Sequence, residues 1–122
     1  MKLNPDCIRD LLITLEERTG THPILFDYND SNSIGLGNYD PNVLTYHFNQ
    51  CVYANLIIIN TKLDGGCLIT DITPQAHEFL ANIRLDTNWN KTKDTAKKVG
   101  STALSALIQI SSNVIAHKLM NI

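Results

Sequence analysis

Apolar residues near the N-terminus recur at the spacing of an α-helix. They follow the i, i+3, i+4, i+7 pattern, which places them on one helix face. These residues are Ile8, Leu11, Leu12 and Leu15. The preceding Asn4-Pro5 pair is typical of a helix start, because Asn caps free N–H groups and Pro lacks the N–H that would stay unbonded. We therefore predict a first helix that ends near Gly20.

The same polar–proline signal occurs twice more, on either side of two β-branched runs that predict a hairpin. Asp40-Pro41 predicts a helix that ends near Ala54, and Thr73-Pro74 predicts another. Between them, the runs at 56–60 and 67–72 flank Asp64-Gly65, a dipeptide typical of tight hairpin turns. The sequence thus predicts a helix, a two-stranded hairpin and a further helix in this order.

Two more helices are predicted towards the C-terminus, one from near Asn88 to Val99 and one capped by Ser101. Residues 21–39 combine the β-prone "PILF" with a polar stretch, which predicts a short strand and a loop. The element order predicts an α+β, mainly α fold. We interpret it as a winged helix-turn-helix domain with a β-hairpin wing at 1–86 and two appended C-terminal helices at 87–122, in one compact unit.

Four stretches of the chain resemble the small phage and prophage proteins grouped as domain of unknown function 2513. They are "MKLNPDCIRDLLITLEE", "YHFNQ", "DITPQAHEFLANIRLDTNWNKTK" and "GSTALSAL". The resemblance spans nearly the whole chain and is weakest at 21–39. It implies a winged-helix architecture and a mobile-element origin, and it brings no assigned activity and no functional residues.

Composition and charge restrict the setting in which the protein acts. A chain of 122 residues fits one domain, and a net charge of −2 gives no overall attraction to nucleic acid or anionic membrane. Cys7, Cys51 and Cys67 lack the C-x-x-C spacing of a zinc or redox site. No signal peptide or membrane-spanning run of roughly 18 apolar residues is visible. We expect a protein of the cytoplasm, the host's if it is phage-encoded, with no membrane contact.

Catalytic and metal motifs are incomplete. His77-Glu78 begins the zinc-binding pattern H-E-x-x-H, but Ala81 occupies the place of the second histidine. We expect His77 to be a packing residue. Gly35 and Gly37 complete neither phosphate-loop motif, which indicates a turn. The sequence predicts no enzyme activity, no metal site, no cofactor and no small-molecule substrate.

The helix before the hairpin would be the recognition helix of a winged-helix protein. Its outward residues are Asn42, Tyr46, Asn49, Gln50 and Tyr53. No charged residue occurs from Pro41 to Thr61, and Lys62 in the wing is offset by Asp64. DNA-binding proteins anchor phosphates with Lys and Arg, whereas exposed Tyr is typical of protein-binding surfaces. We favour a protein partner, for example a host or phage factor such as a defence component.

Two alternatives to this interpretation stay open. Asn and Gln side chains can read adenine edges, so a DNA-binding transcriptional regulator is the second hypothesis. The later helices could also simply cover this face.

Basic residues cluster further along the chain. They are Arg84, Lys91, Lys93, Lys97 and Lys98. They spread around the helix wheel, and Asp94 is four residues from Lys98, which is typical of a solvated helix face. A basic patch for nucleic acid or an acidic protein is the functional alternative.

The last helix is unusually apolar. No charged residue occurs from Val99 to Ala116, and apolar side chains cover more than half of the helix wheel. A helix on the surface of a monomer needs an apolar stripe of only about 100° or slightly more. We therefore predict a homo-oligomer, with burial in the same chain and contact with a membrane surface as alternatives. The predicted interface consists of Leu104, Leu107, Ile108, Ile110, Val114 and Ile115.

Overall fold

The structure is a computed structural model that describes residues 1–121. This part of the chain is α+β and mainly helical, as predicted. Its elements are α1 (Pro5–Arg18), β1 (Ile24–Asp27), a short 3₁₀ helix (Ser31–Ile34), α2 (Pro41–Tyr53), β2 (Ile57–Leu63), β3 (Gly66–Ile72), α3 (Pro74–Ile83), α4 (Asp86–Val99) and α5 (Leu104–Met120).

Three helix starts lie where the sequence predicts them. Asn4, Asp40 and Thr73 each precede a proline and accept a hydrogen bond from a backbone N–H in the first turn of their helix. Such a cap satisfies one of the N–H groups that a helix start leaves without a partner. The starts of α1, α2 and α3 are therefore determined by local sequence.

The prediction for the last helix start and for residues 21–39 was wrong in part. Ser101 does not cap α5, because its Oγ accepts a hydrogen bond from the N–H of Ala103 and the helix begins only at Leu104. The predicted loop contains the 3₁₀ helix, whose first turn is capped by the side chain of Asp30. Gly35 ends this helix in the left-handed conformation, with φ of 81°. The glycine-rich stretch thus belongs to an ordered turn.

The hairpin predicted from the sequence is part of a three-stranded antiparallel sheet. The strand order is β1-β3-β2, and β1 pairs with β3 from Ile24 opposite Ile69 to Asp27 opposite Gly66. A Cβ atom at Gly66 would lie only 2.4 Å from the carbonyl oxygen of Phe26. Glycine therefore allows the backbones of β1 and β3 to approach at this end of the ladder.

One hydrophobic core runs through all parts of the fold. α1 packs on α2, α3 and β3, while α5 packs on α3 and α4. Trp89 of α4 and Leu107 of α5 belong to the same buried cluster as Leu11 of α1 and Phe48 of α2. The two C-terminal helices thus share the core of residues 1–86.

Candidate macromolecule-binding surface

The inner side of α2 is fixed by a buried histidine. His47 is 1% exposed, and its Nε2 accepts a hydrogen bond of 2.8 Å from the backbone N–H of Asn4. Since a backbone N–H can only donate, Nδ1 must carry the proton of the ring, and it donates to the carbonyl of Val43 at 2.7 Å. Phe48, one residue further, packs edge-on against Phe26 of β1 with ring centroids 4.9 Å apart. α2 is therefore held firmly on α1 and the sheet.

The outer side of α2 carries the five residues predicted as a binding face. Tyr53 is 78% exposed and Asn42 is exposed, whereas Tyr46, Asn49 and Gln50 are half-buried. α4 and α5 pack chiefly on each other and on α3. These helices therefore leave the C-terminal end of α2 open to solvent.

The tip of the β2–β3 hairpin is more apolar than the sequence suggested. Leu25 of β1 and Leu63 of β2 are 50% and 44% exposed, and both line a shallow depression that also includes Asp64 and Gly65. Lys62 is the one basic residue of the hairpin sequence. An exposed pair of leucines beside an aspartate is a poor surface for phosphate groups, but it can contact another protein.

The predicted basic patch does not form one free surface. Arg84 pairs with Glu16 of α1 at 2.6 Å, and Lys93 pairs with Asp6 of α1 at 2.9 Å. Lys91, Lys97 and Lys98 are exposed, and within residues 1–121 they make no ion pair. The two paired residues thus join α1 to the helices that follow the sheet.

Asp6 is the centre of the contact between α1 and α4. Its Oδ1 accepts hydrogen bonds from Nε1 of buried Trp89 at 2.8 Å and from Nζ of Lys93 at 2.9 Å. The ammonium of Lys93 also lies 5.4 Å from the Trp89 ring centroid. Partial burial would raise the pKa of Asp6, but the hydrogen bonds from Lys93 and Trp89 outweigh this effect and lower the pKa below its ordinary value of 3.8.

The residues considered for chemistry are dispersed. His77 is half exposed rather than packed in the core, and its Nδ1 lies 3.4 Å from Glu16 of α1. Burial raises the pKa of Cys7 to about 12 and also raises that of Cys51, so both remain protonated thiols. Within the described chain, no three His, Cys, Asp or Glu side chains come close enough to hold a metal ion.

Among residues 1–121, no helix combines the length and the apolar character that crossing a bilayer requires.

The predicted interface on α5 is largely occupied by the chain itself. Leu104 and Leu107 are buried in the core, and Val114 is only 9% exposed. The remaining interface residues are half-buried, and they are Ile108, Ile110 and Ile115. Intramolecular packing thus covers much of the apolar arc that motivated the oligomer prediction.

A groove between α4 and α5 was not predicted from the sequence. It has a volume of about 410 Å³, an apolar floor that includes Ile110 and Val114, and cationic side chains at Lys91 and Lys118. No helix pattern could reveal it, because each helix contributes only one wall and the walls meet only when the helices pack.

Comparison with known proteins identifies the family. The family model described as "Hypothetical protein (DUF2513)" matches residues 2–102. The chain belongs to this family. A relative from Haemophilus influenzae, described as an uncharacterized protein, is 34% identical over 123 residues, which cover 98% of this chain and 99% of the relative. No solved structure matches the chain. The membership of the DUF2513 family that the sequence motifs indicated is confirmed, whereas the phage or prophage origin and the winged-helix architecture stay predictions.

Proposed function

We propose that this DUF2513 protein is a non-enzymatic winged-helix protein that binds another protein through the outward face of α2 and the adjacent hairpin. The order α1, β1, 3₁₀ helix, α2, β2, β3 with the strand order β1-β3-β2 supports the winged-helix interpretation. In that arrangement α2 is the recognition helix and the β2–β3 hairpin is the wing.

The uncharged, tyrosine-bearing face of α2 is the observation that carries the proposal. Tyr53 is 78% exposed, and α2, its flanking turn and β2 contain no charged residue before Lys62. Tyrosine contributes a large contact area at a low cost in side-chain entropy. The exposed Leu25 and Leu63 add apolar area on the hairpin side. A surface of this kind supports protein contact better than phosphate contact.

The origin of the partner follows from the family resemblance. The sequence motifs resemble proteins of phages and prophages, so we propose that the chain is encoded by a mobile element and acts in the host cytoplasm. Its partner would be a host or phage protein, for example a defence component.

Site-specific photo-crosslinking tests the protein-binding proposal directly. A photoreactive phenylalanine analogue at Tyr53 should crosslink one protein in nuclease-treated host extract. The same analogue at exposed Asn90 on α4 should not. Tyr46→Ala should reduce the Tyr53 crosslink, because it removes a neighbouring part of the face. Equal crosslinking from both sites would contradict the proposal.

DNA binding is the second candidate, and the winged-helix element order favours it. We expect only weak binding to duplex DNA at physiological salt, because one lysine on the hairpin releases few counterions. Titration at several salt concentrations should give a shallow slope. Tight, sequence-selective binding that is lost in Asn49→Ala or Gln50→Ala would establish the regulator function instead.

Self-association through α5 is a further part of the proposal. Ile110 and Ile115 are half-buried, and Leu119 is 64% exposed in the last turn. These side chains support a smaller interface than the sequence suggested. A symmetric dimer would cover the same residues on both chains.

A further inference from the structure

The groove between α4 and α5 has the size of a small-molecule site. Its volume of about 410 Å³ falls within the range of roughly 300–1,000 Å³ that is typical of such sites. Ile110 and Val114 of α5 contribute apolar surface, and Thr87, Lys91 and Thr95 of α4 lie on the other wall. The groove is separate from the outward face of α2.

The two ends of this groove differ in polarity. α4 and α5 are antiparallel, because residues 100–103 join them and Lys118 donates a hydrogen bond to Asn88 near the start of α4. His117 and Lys118 therefore lie at one end, with Lys91 about one turn further in and Ile110 at the opposite end. The path from Ile110 to Lys118 is about 12 Å long at 1.5 Å per residue.

The positive charge at one end is not balanced within the described chain. No Asp or Glu lines the groove, and neither Lys91 nor Lys118 has a carboxylate within 4.0 Å in residues 1–121. Asn88 orients the ammonium of Lys118 through a neutral amide oxygen. A cation at the end of α5 also complements the helix dipole, but that effect does not account for Lys91 in the middle of α4.

We propose that this groove binds a small amphipathic carboxylate. Its hydrocarbon body lies on Ile110 and Val114, and its carboxylate contacts the ammonium groups of Lys118 and Lys91. An extended chain advances about 1.2 Å per bond, so a 12 Å path accommodates about ten carbons. The apolar floor selects for the hydrocarbon and the unbalanced lysines select for the anionic head. The groove proposal does not depend on the α2 surface, so either the groove proposal or the protein-binding proposal can be wrong while the other holds.

Titration of the full chain with decanoate below its micellar concentration tests this site. Calorimetry should show saturable binding, and amide chemical shifts should change at the residues that line the groove. Lys91→Gln should weaken decanoate binding about three- to fivefold, as expected for loss of one partly exposed ion pair. Lys98→Gln removes the same charge from an exposed position of α4 outside the groove, and it should leave the affinity unchanged.

Two comparison ligands separate the apolar and the charged contributions. Decan-1-ol should bind more weakly than decanoate and should not respond to Lys91→Gln. Butyrate should not bind, since its short chain cannot cover the floor. Three results would overturn the proposal: no decanoate binding at millimolar concentration, shifts that map outside the groove, or equal effects of Lys91→Gln and Lys98→Gln. Ile110 lies both in the groove and in the proposed α5 interface, so decanoate and a second copy of the chain should compete for it, and light scattering should show a falling mass as decanoate is added. A mass that does not change while decanoate binds would place the ligand outside the groove and would also overturn the proposal.

Discussion

Replacing Asp6 with alanine should loosen the attachment of α4 to α1. The carboxylate accepts hydrogen bonds from both Trp89 and Lys93, and the Trp89 side chain is only 2% exposed. In Asp6→Ala the indole N–H loses its acceptor, and the ammonium of Lys93 loses its ion pair. Asp6→Asn keeps a neutral acceptor for the indole and removes only the charge.

The expected loss of stability follows from these contacts. An unsatisfied buried donor costs about 1–3 kcal/mol, and an exposed ion pair contributes about 0.2–1 kcal/mol. The Asp6 side chain is 56% exposed, so water can partly replace it beside the indole. We therefore expect the free energy of unfolding to fall by about 1–2 kcal/mol in Asp6→Ala and by about 0.5–1 kcal/mol in Asp6→Asn.

The contribution of Asp6 should depend on pH in a defined direction. Its pKa in the folded chain is lower than its ordinary value of 3.8. The ionised carboxylate is therefore favoured by folding, and its stabilising effect is complete above the unfolded pKa. The effect is lost as pH falls below 3.8 and through the lower folded pKa. The difference between wild type and Asp6→Asn should accordingly shrink in this range.

Urea unfolding followed by fluorescence measures these differences, because Trp89 is the one tryptophan of the chain. Transitions at pH 7 and at pH 3 give the free energy of unfolding for each variant. Asp94→Ala, which removes an exposed carboxylate from α4, serves as the control. If Asp6→Ala is no less stable than this control at pH 7, the contact does not stabilise the fold as argued.

Three further predictions concern the start of α3, the sheet and the last helix. Thr73→Val should cost about 1–2 kcal/mol in urea unfolding, because the hydroxyl caps α3 and also donates to the carbonyl of Asn55 at 2.8 Å; an unchanged midpoint would contradict this. Gly66→Ala should lower the free energy of unfolding by roughly 1–3 kcal/mol, because the added Cβ would meet the carbonyl oxygen of Phe26. Hydrogen exchange should then show reduced protection of the β1 amides. Light scattering should give a mass above the 13.6 kDa of one chain, and Ile110→Glu should lower this mass. A wild-type chain that is monomeric at tens of micromolar would refute self-association.

Local signals in the sequence were sufficient for much of the fold. A polar cap followed by proline determines the starts of α1, α2 and α3, and Asp64-Gly65 forms the turn between β2 and β3 with Gly65 at φ of 77°. These features depend on hydrogen bonds between residues close in sequence. The 3₁₀ helix was missed because four residues are too few to show a periodicity.

Features that depend on packing between distant segments could not be predicted in this way. The apolar arc of α5 suggested an interface, but Leu104 and Leu107 fill the chain's own core. Arg84 and Lys93 looked like part of a free basic patch, yet their carboxylate partners lie on α1, far away in sequence. The α2 face was predictable because its outward side follows from the helix period alone.

The edges of the sheet restrict how a partner can bind. β1 is only four residues long, and the ladder between β2 and β3 is irregular at Ile58/Ile59 and again at Ile59/Thr61. Short and irregular edge strands are poor templates for an added strand, because few backbone groups are aligned to pair with it. We therefore expect a partner to recognise side chains such as Tyr53 and Leu63. An extended peptide that pairs its backbone with an edge of the sheet should be a poor inhibitor.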